Sequence, residues 1–204
     1  RQVRTWMRTW LIGVSALLWG FCIASCAHGP QAESGSAGKN LRDYMPLAVG
    51  NVWTYATQFR GQEQPDLSVS IVREEGGFFV DDRPQPSRMA FDSAGLRDGG
   101  VRYLLKTPLI KGTKWMSVAD VKTVERYEIV DDDRTVRSPA GIYKECVTVR
   151  MEVRITPDKT MRNEMTFAPA VGIVEVKTSL LVGKKLMPQS GMLLKRFESK
   201  TKNK

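Results

Sequence analysis

The chain has 204 residues, 42% of them apolar and 26% charged, which is enough for one domain with a real core and small for two. Its formal net charge of +9 falls to +6 once Arg1, Arg4 and Arg8 are set aside. A single histidine, His28, excludes the usual Ser–His and Cys–His triads and His-rich zinc sites from everything beyond it.

In chain order, Arg1, Arg4 and Arg8 form a positive head, followed over residues 11–25 by an uncharged apolar run that ends in small residues. About 15 apolar residues at 1.5 Å each span roughly 22 Å, short of the roughly 30 Å hydrocarbon core, so a signal segment is favoured over a permanent membrane span. Ile23, Ala24, Ser25 and Cys26 close the run with an aliphatic residue, two small residues and a cysteine. The pattern resembles the processing site of bacterial lipoprotein precursors at all four places. The resemblance implies cleavage before Cys26, a diacylglycerol thioether on its sulfur and an amide-linked acyl chain on its nitrogen. No other cofactor is expected, and the membrane becomes a partner through the lipid. Cys22 does not fit, because bulky Phe21 precedes it. Ala27 stands where the retention signal of enteric bacteria has Asp, which implies the outer membrane. Outside the cytoplasm no nucleic-acid partner is expected.

Residues 1–25 therefore read as signal peptide, and 26–42 as the lipidated cysteine with a flexible linker rich in Gly, Ser, Pro and Ala. Residues 43–198 read as the folded domain, and 199–204 as a basic tail. Basic residues gather late in the chain, at Lys184, Lys185, Lys195, Arg196, Lys200, Lys202 and Lys204. They read as a solvated tail, with contact to anionic lipid head groups or cell-wall polymer as the functional alternative.

Two-residue alternation marks strands at 52–55, 67–71, 101–105 and 147–153, and no segment has a long helical period. Glu75-Gly76-Gly77 predicts a hairpin, Asp98-Gly99-Gly100 precedes another strand, and Asp131-Asp132-Asp133 reads as a solvated tip. The fold class expected is mainly β: a single antiparallel curved sheet, open or half-barrel, after an N-terminal signal helix and flexible linker.

Two segments share P-L-x-x-G-x-x-W: residues 46–53 and, 62 positions on, residues 108–115. Pro opens the approach without needing a ladder donor, Gly permits a positive φ, and Trp53 or Trp115 enters the next strand as a large anchor. The repeat reads as one device used twice, with both tryptophans in the core or at the rim of a binding site.

Three marks together resemble a group of uncharacterised bacterial envelope proteins. They are Pro-Leu-x-x-Gly-x-x-Trp-x-Tyr at 46–55, Pro-Ala-Gly-x-aromatic at 139–143, and Ala-Pro-x-Val-Gly-x-Val at 168–174. The resemblance implies a curved sheet similar to periplasmic lipoprotein-carrier domains, and no reaction. The group has Gly where Ala170 stands, a departure that touches turn geometry.

Cys146 is the one thiol left after processing, so no internal disulfide can form, and it reads as core packing. Asp81-Asp82 and Asp131-Asp132-Asp133 read as surface turns, because adjacent acids point to opposite faces or into water, and they lack the alternation of a calcium loop. No catalytic or metal-binding residue is expected. The reading is a membrane-anchored, non-catalytic binding or assembly lipoprotein for an apolar ligand or an envelope protein partner. An apolar groove lined by Trp53, Tyr55, Tyr103 and Trp115 would mark it. The alternative, a cell-wall-polymer hydrolase or transferase, needs two carboxylates about 5 to 9 Å apart in a cleft.

Overall fold

The computed structural model describes residues 38–120 and 123–200. The processing site Ile23-Ala24-Ser25-Cys26, most of the predicted linker and residues 201–204 lie outside the described residues.

The strands are β1 (Val52–Phe59), β2 (Gln62–Glu75), β3 (Phe78–Asp81), β4 (Arg88–Phe91), β5 (Gly95–Asp98) and β6 (Arg102–Lys106). They continue with β7 (Lys114–Asp120), β8 (Thr123–Ser138), β9 (Gly141–Thr156), β10 (Lys159–Ala168), β11 (Gly172–Val182) and β12 (Lys185–Glu198). They form one antiparallel twelve-stranded sheet in the order β6-β5-β4-β3-β2-β1-β12-β11-β10-β9-β8-β7. Neighbours in the sheet are neighbours in the chain except β1 and β12, whose pairing joins two meanders, β1–β6 and β7–β12. Among the described residues there is no α-helix, only one 3-10 turn, Leu41–Tyr44.

The free edges β6 and β7 curl round to meet. Trp115 Nε1 donates to the Tyr103 carbonyl at 3.0 Å, and Arg102 Nε donates to the Tyr127 hydroxyl at 3.0 Å. The sheet is thus nearly closed into a barrel, with a seam of side chains where the last ladder would be, and the expected curved half-barrel is the architecture observed.

The P-L-x-x-G-x-x-W repeat is one piece of backbone built twice, once at the start of each meander. Gly50 has φ 89° and Gly112 φ 93°, conformations that favour glycine. The Gly50 N–H donates to Ile71 O at 2.7 Å and the Gly112 N–H to Ile129 O at 2.8 Å. Ile71 N–H returns a bond to Asn51 O at 3.0 Å, as Ile129 N–H does to Thr113 O at 2.9 Å. Even the side-chain brace is copied: Asn51 Nδ2 donates to Pro46 O at 2.7 Å, and Thr113 Oγ1 to Pro108 O at 2.9 Å. Each tryptophan then stacks on a cross-strand aromatic, Trp53 on Phe197 (centroids 5.1 Å) and Trp115 on Tyr127 (5.2 Å).

Gly76 and Gly77, at φ 58° and 77°, make the predicted hairpin between β2 and β3. The acidic run 131–133 corrects the sequence reading. It is no tip but a bulged stretch inside β8, where the register against β9 slips between Ile129, Asp131, Arg134 and Val136. A bulge absorbs extra residues without ending the strand and bends it. Asp132 is tied down by the Lys111 N–H at 3.0 Å, and its carbonyl by Lys39 Nζ. Beyond the bend Arg134 reaches Glu175 of β11 at 2.7 Å, and the Ala140 N–H reaches Leu194 O of β12 at 3.4 Å. The β8–β9 arm therefore folds back over β11 and β12, among the fully buried Cys146, Val147, Phe167, Val174 and Leu194.

Packing starts earlier than the boundary at Asp43. Leu41, Tyr44 and Met45 are buried, with Asn40 capping the turn by accepting from the Arg42 N–H at 3.2 Å. Tyr44 donates to Glu145 O of β9 at 2.8 Å, Asp43 O accepts from the Ala170 N–H at 2.6 Å, and the Arg42 guanidinium lies 4.8 Å from the Phe91 ring centroid. These contacts tie β9, the β10–β11 turn and β4 together.

Ala170 has φ 62° and is exposed. An L-residue there carries about 1–2 kcal/mol of strain, against about 0.4–1 kcal/mol of unfolded-chain entropy added by glycine. Ala170→Gly is expected to stabilise the protein by about 0.5 kcal/mol, read as a higher urea midpoint at unchanged slope.

Candidate functional site

Each strand points alternate side chains inward, and inside the curl they leave a cavity of about 270 Å³. Its walls come from β1 (Trp53, Tyr55), β2 (Leu67, Val69), β4 (Met89), β6 (Leu104), β10 (Met165), β11 (Ile173, Val176) and β12 (Met192), with Met45 from the N-terminal segment. Only the concave interior brings residues from so many strands together. Four of the lining residues are methionines, unbranched side chains that adapt to irregular apolar partners. A second hollow of about 60 Å³, lined in part by Tyr127, Val149, Met151 and Asn163, shares Arg102, Leu104 and Met165 with the first.

The polar part of the wall belongs to two ion-paired clusters, the first balanced and the second with two carboxylates on one arginine. In the first, Arg83 Nε and Nη2 donate to Asp81 Oδ2 at 2.9 and 2.6 Å, and Nη2 also donates to Ser87 Oγ at 2.6 Å. Asp81 Oδ1 accepts the N–H groups of Arg83 (3.2 Å) and Ser87 (3.1 Å). In the second, Arg102 lies 3.6 Å from Asp98 Oδ2 and 3.1 Å from Glu125 Oε2, and Tyr127 donates to Glu125 Oε2 at 2.5 Å. Burial pushes the Tyr127 phenol up to about 12, with the Arg102 hydrogen bond opposing and the Glu125 bond reinforcing the shift. Tyr55 is likewise raised by burial, against a smaller lowering from Arg83, so both phenols stay protonated donors.

The four aromatics singled out from sequence divide evenly. Trp53 and Tyr55 line the cavity, their polar ends satisfied by the β10–β11 turn and β11: Trp53 Nε1 donates to Val171 O at 2.7 Å and Tyr55 Oη to Ile173 O at 3.0 Å. Trp115 is buried in the β6–β7 seam instead, and Tyr103 faces away from the cavity. Strand parity explains Tyr103: Arg102 and Leu104 line the cavity, so the residue between them points outward, where its hydroxyl donates to Asp92 Oδ2 at 2.8 Å. Its phenol is raised first by that hydrogen bond and then by desolvation.

Asp81 corrects a second expectation, because it is 2% exposed at the end of β3 and not in a surface turn. Its neighbour Asp82 is the exposed one and caps the Ser70 N–H at 2.9 Å. Sequence reasoning missed the methionines and the Asp81–Arg83 pair. The available signal was Arg83, two residues after Asp81 and able to neutralise it.

Cys146 is fully buried, and burial pushes its thiol up to about 11. At pH 8 it is expected to stay unreactive toward Ellman's reagent in the folded protein and to react fully in denaturant. Rapid modification under native conditions would contradict its place in the core.

No protein-family model matches the chain, and no curated protein matches it. Among solved structures the chain is similar to a candidate lipoprotein from Parabacteroides distasonis, with TM-score 0.45 and 14% identity over 78% of this chain and 100% of that one. It is also similar to a candidate exported protein with a YmcC-like fold from Bacteroides fragilis, with TM-score 0.40 and 16% identity over 76% of this chain and 99% of that one.

Proposed function

We propose that the protein is an envelope lipoprotein, anchored in the outer membrane by acylated Cys26, whose sheet holds an apolar ligand inside its curl without catalysing a reaction. The observation that carries the reading is the cavity of about 270 Å³, near the lower end of small-molecule sites at roughly 300 Å³, with its methionine-rich apolar wall. The processing site Ile23-Ala24-Ser25-Cys26 supports the anchor. The ligand is an uncharged chain or the apolar tail of a larger molecule, because both arginines in the wall are already paired with carboxylates. The same pairing weighs against polymer hydrolysis. Asp81 and Asp98 are each engaged by an arginine, so neither carboxylate stands free to face a glycosidic oxygen.

Native mass spectrometry of the protein purified from its own host tests the reading. An apolar molecule of lipid mass is expected to travel with the wild-type protein and to be lost from Met165→Trp, which fills the shared wall of the two hollows. A ligand-free protein that also fails to take up a pyrene-labelled fatty acid saturably would sink the proposal.

A further inference from the structure

Antiparallel strands turn at alternate ends, so in the run β2-β1-β12-β11-β10-β9 the β1–β2, β11–β12 and β9–β10 hairpins all turn at one end of the sheet. Successive tips stand two strands apart, roughly 10 Å. Each tip carries an exposed large apolar side chain: Phe59 at 49%, Leu186 at 46% and Ile155 at 57% exposure. Residues 185–189 of β12 run past the end of β1, whose Phe59 pairs with Ser190, so the Leu186 tip projects beyond the first.

Charge at this end is one-sided. Arg60, Arg154, Lys159, Lys184 and Lys185 are all exposed on these tips, against Glu63 and Asp158. Asp158 is held locally by the Thr156 hydroxyl at 2.7 Å. Arg60 lies over the Phe59 ring at 5.2 Å, and Arg154 Nη2 reaches only the Pro157 carbonyl, at 3.5 Å. Ion pairs along the strands engage Arg134, Arg150 and Arg162 with facing acids, yet among the described residues none engages any of the five tip cations. Lys159 acts on Asp158 at longer range, but exposed apolar side chains set among cations without a close ion pair match one surface chemically: apolar groups dip between lipid head groups while the cations meet phosphate.

We infer that this end of the sheet docks on an anionic lipid bilayer, with Phe59, Ile155 and Leu186 inserted at the interface. The contact is independent of the cavity and of what the cavity holds.

The test uses the protein as purified from its host, carrying Leu186→Cys labelled with the polarity-sensitive fluorophore NBD, in vesicles of phosphatidylcholine with or without phosphatidylglycerol. The control is Ile142→Cys, an equally exposed position near the opposite end of β9 from Ile155. Unsubstituted protein treated identically supplies the background. Blue-shifted, brighter emission at 186 with anionic vesicles only, and none at 142, is the expected result. Adding Lys184→Gln and Lys185→Gln should weaken the response about thirtyfold. Water-like emission at 186 on anionic vesicles, or an equal response from both vesicle types, would overturn the inference.

Discussion

Trp53→Ala is expected to lower the stability of the β unit by about 4 kcal/mol, within the range of about 3–5 kcal/mol for emptying a large aromatic site. The indole is 1% exposed, stacks on Phe197 and donates to Val171 O, so the substitution opens a void and leaves a half-buried carbonyl without its donor. At about 2–4 °C per kcal/mol for a domain of this size, the thermal midpoint should fall by roughly 12 °C. Trp53→Phe, which keeps an aromatic ring and loses the hydrogen bond, should cost about 1.5 kcal/mol. Trp115→Ala should cost about 3 kcal/mol, because its site is 7% exposed and borders the seam. Urea titration followed by circular dichroism measures all three. A loss below about 1 kcal/mol for Trp53→Ala would mean that the first copy of the repeat is not the anchor described here.

Arg83→Ala is the second large effect, expected at about 3 kcal/mol, the low end for breaking a buried ion pair. Asp81 has a side chain with no exposure, whereas that of Arg83 is 36% exposed, so water can partly reach the site once the guanidinium is gone. The decisive comparison is the double variant Asp81→Asn with Arg83→Ala. Asparagine keeps the Oδ1 that accepts two backbone N–H groups and replaces the charged Oδ2 by a neutral amide. It should therefore recover more than half of the loss. A double variant no better than Arg83→Ala alone would show that packing of the arginine stem, and not the stranded carboxylate, sets the cost.

Much of the strand pattern was legible because its causes are local. Trp53 and Tyr55 alternate with Thr54, Gly76-Gly77 supplies the positive φ of a tight hairpin, and the two Pro-Leu-x-x-Gly-x-x-Trp segments name both meander starts. The readings that failed depended on distant partners. Three consecutive aspartates look like a tip until the pairing with β9 shows that the chain continues through them as a bulge. Asp81 looks like a surface acid until Arg83 and Ser87 close around it inside the curl. Trp53, Tyr55, Tyr103 and Trp115 read from sequence as groove or core aromatics, a choice left open there: strand parity turns Tyr103 outward, and the curl of the sheet puts Trp115 in the core at the seam.

What the amino-acid sequence determined by itself is therefore the antiparallel strand content, the repeated anchor and the core place of Cys146. Alternation, turn chemistry and burial preference act over a few residues and read the same in any arrangement. What only the tertiary structure decided is the order of the sheet, with β1 paired to β12, the side-chain seam between β6 and β7, and the methionine-lined space they enclose. Those depend on contacts between residues such as Trp53 and Phe197, far apart in the chain, and a local pattern carries no record of which distant strand will lie opposite.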